Sequence, residues 1–115
     1  MTIQIKKTYR NLNPGMLYDE VRDLLQKQGI VVVETESQTY GLPSGDTQSR
    51  TILALKTQAT PEKDQQECGS VHILGSPLGE TKMLLDIDET VFPKEKLFAF
   101  QDDLDFILGS YETKW

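Results

Sequence analysis

Apolar residues recur at three- and four-residue steps in two stretches of this chain and at two-residue steps in several others. The longest helical stretch runs from about Pro93 to Tyr111, where Leu97, Phe100, Leu104, Ile107, Leu108 and Tyr111 form one apolar stripe. Asp102, Asp103 and Asp105 fall largely off that stripe, and Pro93 suits a first helical turn, where its missing N–H would have been unpaired. At roughly 1.5 Å per residue such a helix is about 28 Å long, enough to cross a small sheet. A second helix begins after Asn11-Leu12-Asn13-Pro14, with Asn13 as its cap and Pro14 at the first helical position. Leu17, Val21, Leu24, Leu25 and Gln28 share its inner face, and Gly29 can take the left-handed conformation that ends it.

The remaining pattern has period two. Ile3, Ile5 and Tyr9 alternate with Gln4 and Lys6 in a first strand. Ile30 to Val33 is β-branched, which favours a strand, and the polar run from Glu34 to Tyr40 carries that strand towards an edge or rim. Gly41 to Asp46 is turn chemistry, and Arg50 to Thr57 alternates again. Gln58 to Gly69 reads as a long polar loop, Val71 and Ile73 as a short strand, and Gly75-Ser76-Pro77-Leu78-Gly79 as a turn. Thr81 to Glu89 sets Met83, Leu85 and Ile87 against Lys82, Leu84, Asp86 and Asp88. The order is strand, helix, four strands, helix. Short links between the last four strands predict an antiparallel meander, which the first strand completes to a five-stranded, mostly antiparallel sheet with two helices packed on it. The expected class is a single α+β domain over residues 1–115, and its element order resembles TATA-box-binding-protein-like folds or a reduced helix-grip domain, in which a sheet curls around a C-terminal helix. The position of the first strand within the sheet is open at this point.

Composition narrows the function classes. Eighteen acidic and twelve basic residues give a formal charge of −6, with no run of Lys or Arg, so a nucleic-acid partner is not expected. No apolar run approaches the roughly 20 residues that span a bilayer, and the N-terminal residues lack a signal-peptide core, so neither a membrane nor secretion is expected. Cys68 is the one cysteine, which excludes an internal disulfide and suits a reducing cytoplasm; its setting reads as a passive loop end.

One stretch carries a chemical motif. Met83-Leu84-Leu85-Asp86-Ile87-Asp88-Glu89-Thr90-Val91-Phe92 resembles the first motif of the haloacid-dehalogenase-like phosphatases, an apolar strand followed by Asp-x-Asp-x-Thr/Val. The resemblance implies that Asp86 is a nucleophile taking a phosphoryl group, that Asp88 is a general acid–base, and that both help to hold Mg²⁺. It also implies a parallel, doubly wound sheet with most of the fold downstream, whereas 23 residues follow Phe92 and they hold one helix. Mg²⁺-dependent phosphoryl transfer is therefore the alternative reading rather than the main one.

Other chemistry is sparse. His72 is the single histidine, with no Cys or His cluster to build a metal site around it, so no metal or cofactor is expected. The glycines at 75 and 79 link two strands and do not open a helix, so they form no phosphate loop. If the sheet curls around the last helix, Tyr9, Tyr40, Arg50 and His72 are the residues whose types suit a pocket lining. Trp115 at the end of the chain reads as a terminus folded back on the sheet or, alternatively, as a contact with another subunit. The expectation is a small non-catalytic binding or interaction module. It would use either a pocket for an apolar or amphipathic small molecule between sheet and C-terminal helix, or a surface for a homodimer or protein partner.

Overall fold

Each predicted element forms. The computed structural model describes residues 2–41, 43, 45, 47–62, 64–75 and 79–112, without the side chain of Thr47. The elements are β1 (Thr2–Arg10), α1 (Pro14–Lys27), β2 (Val31–Gly41), β3 (Thr47–Lys56), β4 (Glu67–Gly75), β5 (Glu80–Asp88) and α2 (Lys94–Leu108), with a 3₁₀ turn at Gly109–Tyr111. All four strand pairings are antiparallel, in the order β1-β5-β4-β3-β2. The sheet is open, and α1 carries the chain from one edge strand to the other. The expected α+β class and element order are therefore found. β1 takes an edge beside β5, and the acidic-motif strand β5 lies inside the sheet. Periodicity and turn chemistry alone do not fix the position of β1.

Local chemistry accounts for the helix ends. The Asn13 side chain accepts from the Gly15 N–H at 2.7 Å, Pro14 opens α1, and Gly29 follows it at φ +84°. Leu17, Val21, Leu24 and Leu25 are the buried residues of α1, as the periodicity requires. In α2 the buried set is Leu97, Phe100, Leu104 and Leu108. Ile107, expected on that stripe, is 42% exposed, and Tyr111 packs from the 3₁₀ turn instead of from the helix. The stripe is narrower than predicted because the core is served by one residue per turn. Pro93 caps α2 from an extended conformation and does not open its first turn.

Among the described residues one hydrophobic cluster lies on one face of the sheet. Ile5, Tyr9, Leu53, Leu55, Val71, Ile73, Met83, Leu85 and Ile87 pack there against both helices. Their neighbours along each strand point the other way, to a face that no described element covers. β4 is longer than expected and begins at Glu67, so Cys68 is a strand residue and not a loop end. It is 1% exposed, and burial pushes its thiol up to about 11. Gly69, next to it, lies so close to the Asp86 carbonyl of β5 that a Cβ would collide with backbone. The predicted turn at 76–78 and the Trp115 contact lie outside the described residues. Among the described residues no helix is long and apolar enough to cross a membrane.

Candidate functional site

The open face of the sheet gathers three of the four residues expected to line a pocket. Register places Ile52, His72, Leu84 and Lys6 in one row across β3, β4, β5 and β1. The next row holds Gln38, Arg50, Leu74, Lys82 and Thr8, and beyond it Tyr40 faces Gln48. All point away from the helices. Two depressions form here, each of about 360 Å³. One is lined by Tyr40, Gln48, Arg50, His72, Leu74 and Leu84. The other is lined by Lys6, Lys7, Thr8, Lys82, Met83, Glu112 and the same two leucines. Leu74 and Leu84 join the two into one trough across the sheet, whose outer strands lie about 19 Å apart at the usual strand spacing.

The trough has an apolar floor and polar walls. Leu74, Leu84, Ile52 and His72 are half-buried even though no helix covers them, because long neighbours on adjacent strands shield them. Tyr40 is 41% exposed, and its hydroxyl donates to Gln38 Oε1 within the same strand, which holds the ring over the β2 end of the trough. Lys6 and Lys82 are exposed and Arg50 half-buried; none of the three forms an ion pair among the described residues.

Tyr9 parts from this group. It lies on the helical face of β1, is 1% exposed, and its hydroxyl has no hydrogen-bond partner among the described residues. Burial, reinforced by the charges of Glu112 and Asp105, raises its phenol well above the ordinary tyrosine value. Alternation fixes this outcome: Tyr9 follows Ile3 and Ile5 at even steps and must share their face. The space between sheet and α2, where a pocket was anticipated, is occupied by Leu97, Phe100, Leu104 and Leu108 packed on the strands. Sequence reasoning missed Leu74 and Leu84 as site residues. Their signal was present, since each is an apolar residue at an outward position of an alternating strand.

The acidic motif has a structural assignment. Asp88 Oδ1 accepts from the Thr90 N–H at 3.0 Å and from the Thr90 hydroxyl at 2.6 Å, forming the turn between β5 and α2. Those two hydrogen bonds hold the Asp88 carboxyl below its ordinary value. The Val91 and Phe92 N–H groups close the same turn on the Asp88 carbonyl at 3.1 and 3.0 Å. Asp86, two residues earlier on the open face, accepts from Gln4 Nε2 at 3.0 Å. The strand that bears the motif is flanked by antiparallel neighbours, in contrast to the parallel sheet that the phosphatase resemblance implies. Among the described residues no three His, Cys, Asp or Glu side chains come together as a metal-binding group.

No protein-family model matches the chain, and no curated protein matches it by sequence. The candidate site therefore stands on the geometry of the open face alone.

Proposed function

We propose that this protein is a non-catalytic binding module whose working surface is the open face of its sheet. The observation that carries the reading is the convergence of Tyr40, Arg50 and His72 on Leu74 and Leu84. These residues come from four strands and have no role in the core. Binding sites combine an apolar floor with a few directed polar groups, and this trough has that composition and a volume in the usual range. Asp88 is engaged in a turn and Asp86 with Gln4, which favours binding over phosphoryl transfer for this face.

Native mass spectrometry on freshly purified protein tests the reading. Wild type is expected to retain a molecule of roughly a few hundred daltons, the size such troughs hold. Leu84→Glu should lose it with little change in Tm, since Leu84 lies outside the core cluster. A bare wild-type chain, or retention unchanged by Leu84→Glu, would overturn the assignment.

A second reading, contact with a protein partner, has its own observation. Phe98 is 56% exposed and Phe106 92% exposed on the outer side of α2, near the 42%-exposed Ile107. Aromatic side chains left in water on a helix are favoured interface anchors. The same spectrum addresses this: a dimer abolished by Phe106→Asp supports a helix-mediated interface, and a monomer at every concentration sampled counts against self-association.

A further inference from the structure

The cations of this chain are divided unevenly between the two sides of the sheet. On the helical side and at its junctions Lys7, Arg22, Lys27 and Lys94 each meet a carboxylate, and Lys96 alone of that group meets none among the described residues. On the open face Arg10 meets Glu80, whereas Lys6, Arg50, Lys56 and Lys82 meet none among the described residues. This asymmetry arises in a chain with a formal charge of −6, where carboxylates outnumber cations and partners are plentiful. Three of these four open-face cations, Lys6, Arg50 and Lys82, border the trough.

Their placement around the leucines is specific. Arg50, Leu74 and Lys82 stand side by side on β3, β4 and β5, so the two cations flank one leucine, with Cα atoms about 10 Å apart at two strand spacings. Lys6 lies diagonally from Lys82, at about 7–8 Å, beside Leu84. Long flexible side chains at these spacings can bring three positive heads over a single apolar floor. Like charges so placed repel one another, and an anion among them relieves that repulsion. The nearest carboxylates do not supply it: Glu80 is turned to Arg10, Asp86 accepts from Gln4, and Glu112, which lines the β1 end of the trough, is held by Lys7.

Resting on the open-face reading above, we propose that the trough takes a small amphipathic organic anion. Its anionic head, a carboxylate, sulfonate or phosphate, sits between Arg50 and Lys82 with Lys6 in reach, and its apolar body lies on Leu74 and Leu84. A polyanion such as nucleic acid fits less well, because Asp86 and Asp88 continue the same face of β5 beyond the trough and would face its further charges.

Head-group selectivity in the intact protein tests the proposal. The probes are decanoate, decanol and decyltrimethylammonium, titrated into ¹⁵N-labelled protein and followed by backbone amide shifts. Decanoate should give saturable shifts at residues 50, 72–74 and 82–84, with an apparent Kd at least tenfold lower than decanol and decyltrimethylammonium. Arg50→Gln combined with Lys82→Gln should weaken decanoate at least tenfold and leave Tm unchanged, because neither side chain has an ion pair among the described residues to lose. Lys27→Gln with Lys96→Gln, on the helical side, should leave decanoate binding unchanged. Equal binding of decanol and decanoate at the same amides would overturn the anion assignment while leaving the open face as a binding surface. Saturable shifts elsewhere, or none with any of the three probes, would overturn the proposal; a native spectrum without a retained molecule would then remove the open-face reading as well.

Discussion

The Tyr9 hydroxyl is buried on the helical side of β1 with no partner among the described residues. A buried hydroxyl without a hydrogen bond costs on the order of 1–3 kcal/mol, while the ring that carries it contributes favourable packing. Tyr9→Phe keeps the ring and removes the cost. We expect the variant to equal or exceed wild type at neutral pH, by up to about 1 kcal/mol in denaturant unfolding. The alkaline limb should change as well. A phenol whose folded value is raised stabilises the fold below the ordinary tyrosine pKa of about 10, and that stability fades as pH climbs beyond it. The phenylalanine variant should therefore lose less stability than wild type above pH ~10. A variant that is markedly less stable at neutral pH would show that the hydroxyl has a role after all. Other residues on this scale were only partly legible. Gly69 gave no sign in the sequence of its close approach to the Asp86 carbonyl, and Cys68 resembled a loop residue because its polar upstream neighbours concealed the start of β4.

Ion pairs tie β1 to α2 and to the residue that follows the 3₁₀ turn. Lys7 reaches from β1 to Asp105 of α2 at 2.9 Å and to Glu112 at 3.0 Å, and Glu112 also bridges β1 at Tyr9. The Lys7 side chain is 13% exposed, against 51% for Asp105 and 25% for Glu112. Burial lowers the Lys7 pKa, but two hydrogen bonds and two carboxylate charges outweigh it, and the net shift is upward from 10.5. Lys7 is the one charged residue among Ile3, Ile5, Lys7 and Tyr9, the positions of β1 that alternation assigns to the core side, and its carboxylate partners explain how it stays there. Lys7→Met should cost about 1 kcal/mol at neutral pH, towards the low end for a charge-assisted pair because Asp105 is open to water. The sign of the pH dependence follows from the raised value. The contribution is complete below pH ~10.5 and vanishes as pH rises through the folded pKa, so the gap between wild type and Lys7→Met should close in strong alkali. A gap of constant size at every pH would mean that packing alone was lost. The elements themselves were readable because capping and periodicity are local. The contents of the space beneath α2 were not, since filling it depends on which strands the helix meets.

At the scale of the molecule, strand order was the part that local patterns left undetermined, and it decides where protection lies. β4 and β5 are flanked on both sides, and each buries alternate residues under the helices. β2 is an edge strand whose residues from Glu34 onward are exposed except for Glu36, and its register with β3 shifts between Glu34 and Glu36. The polar run that suggested a rim is thus the outer end of an edge strand, paired on one side and uncovered on both faces. A paired strand with little buried area opens locally at small cost, whereas a central strand exchanges only when the domain opens. Amide hydrogen exchange should therefore be slowest at Val71, Ile73, Met83 and Leu85, approaching the rate set by global unfolding. It should be faster by orders of magnitude from Ser37 to Tyr40, with β1 between the two because Glu112 bridges its outer edge. The same experiment separates the two functions proposed for the surfaces. A ligand on the open face joins Tyr40 and Arg50 to Leu74 and Leu84, and should slow exchange at the β2–β3 end towards the rate of β4. A partner on Phe98 and Phe106 should slow exchange along α2 and leave that end unchanged. If Ser37 to Tyr40 already exchanged as slowly as Val71 in the isolated protein, the outer end of β2 would be held by contacts other than those described, and the trough would have a covered wall instead of an open one.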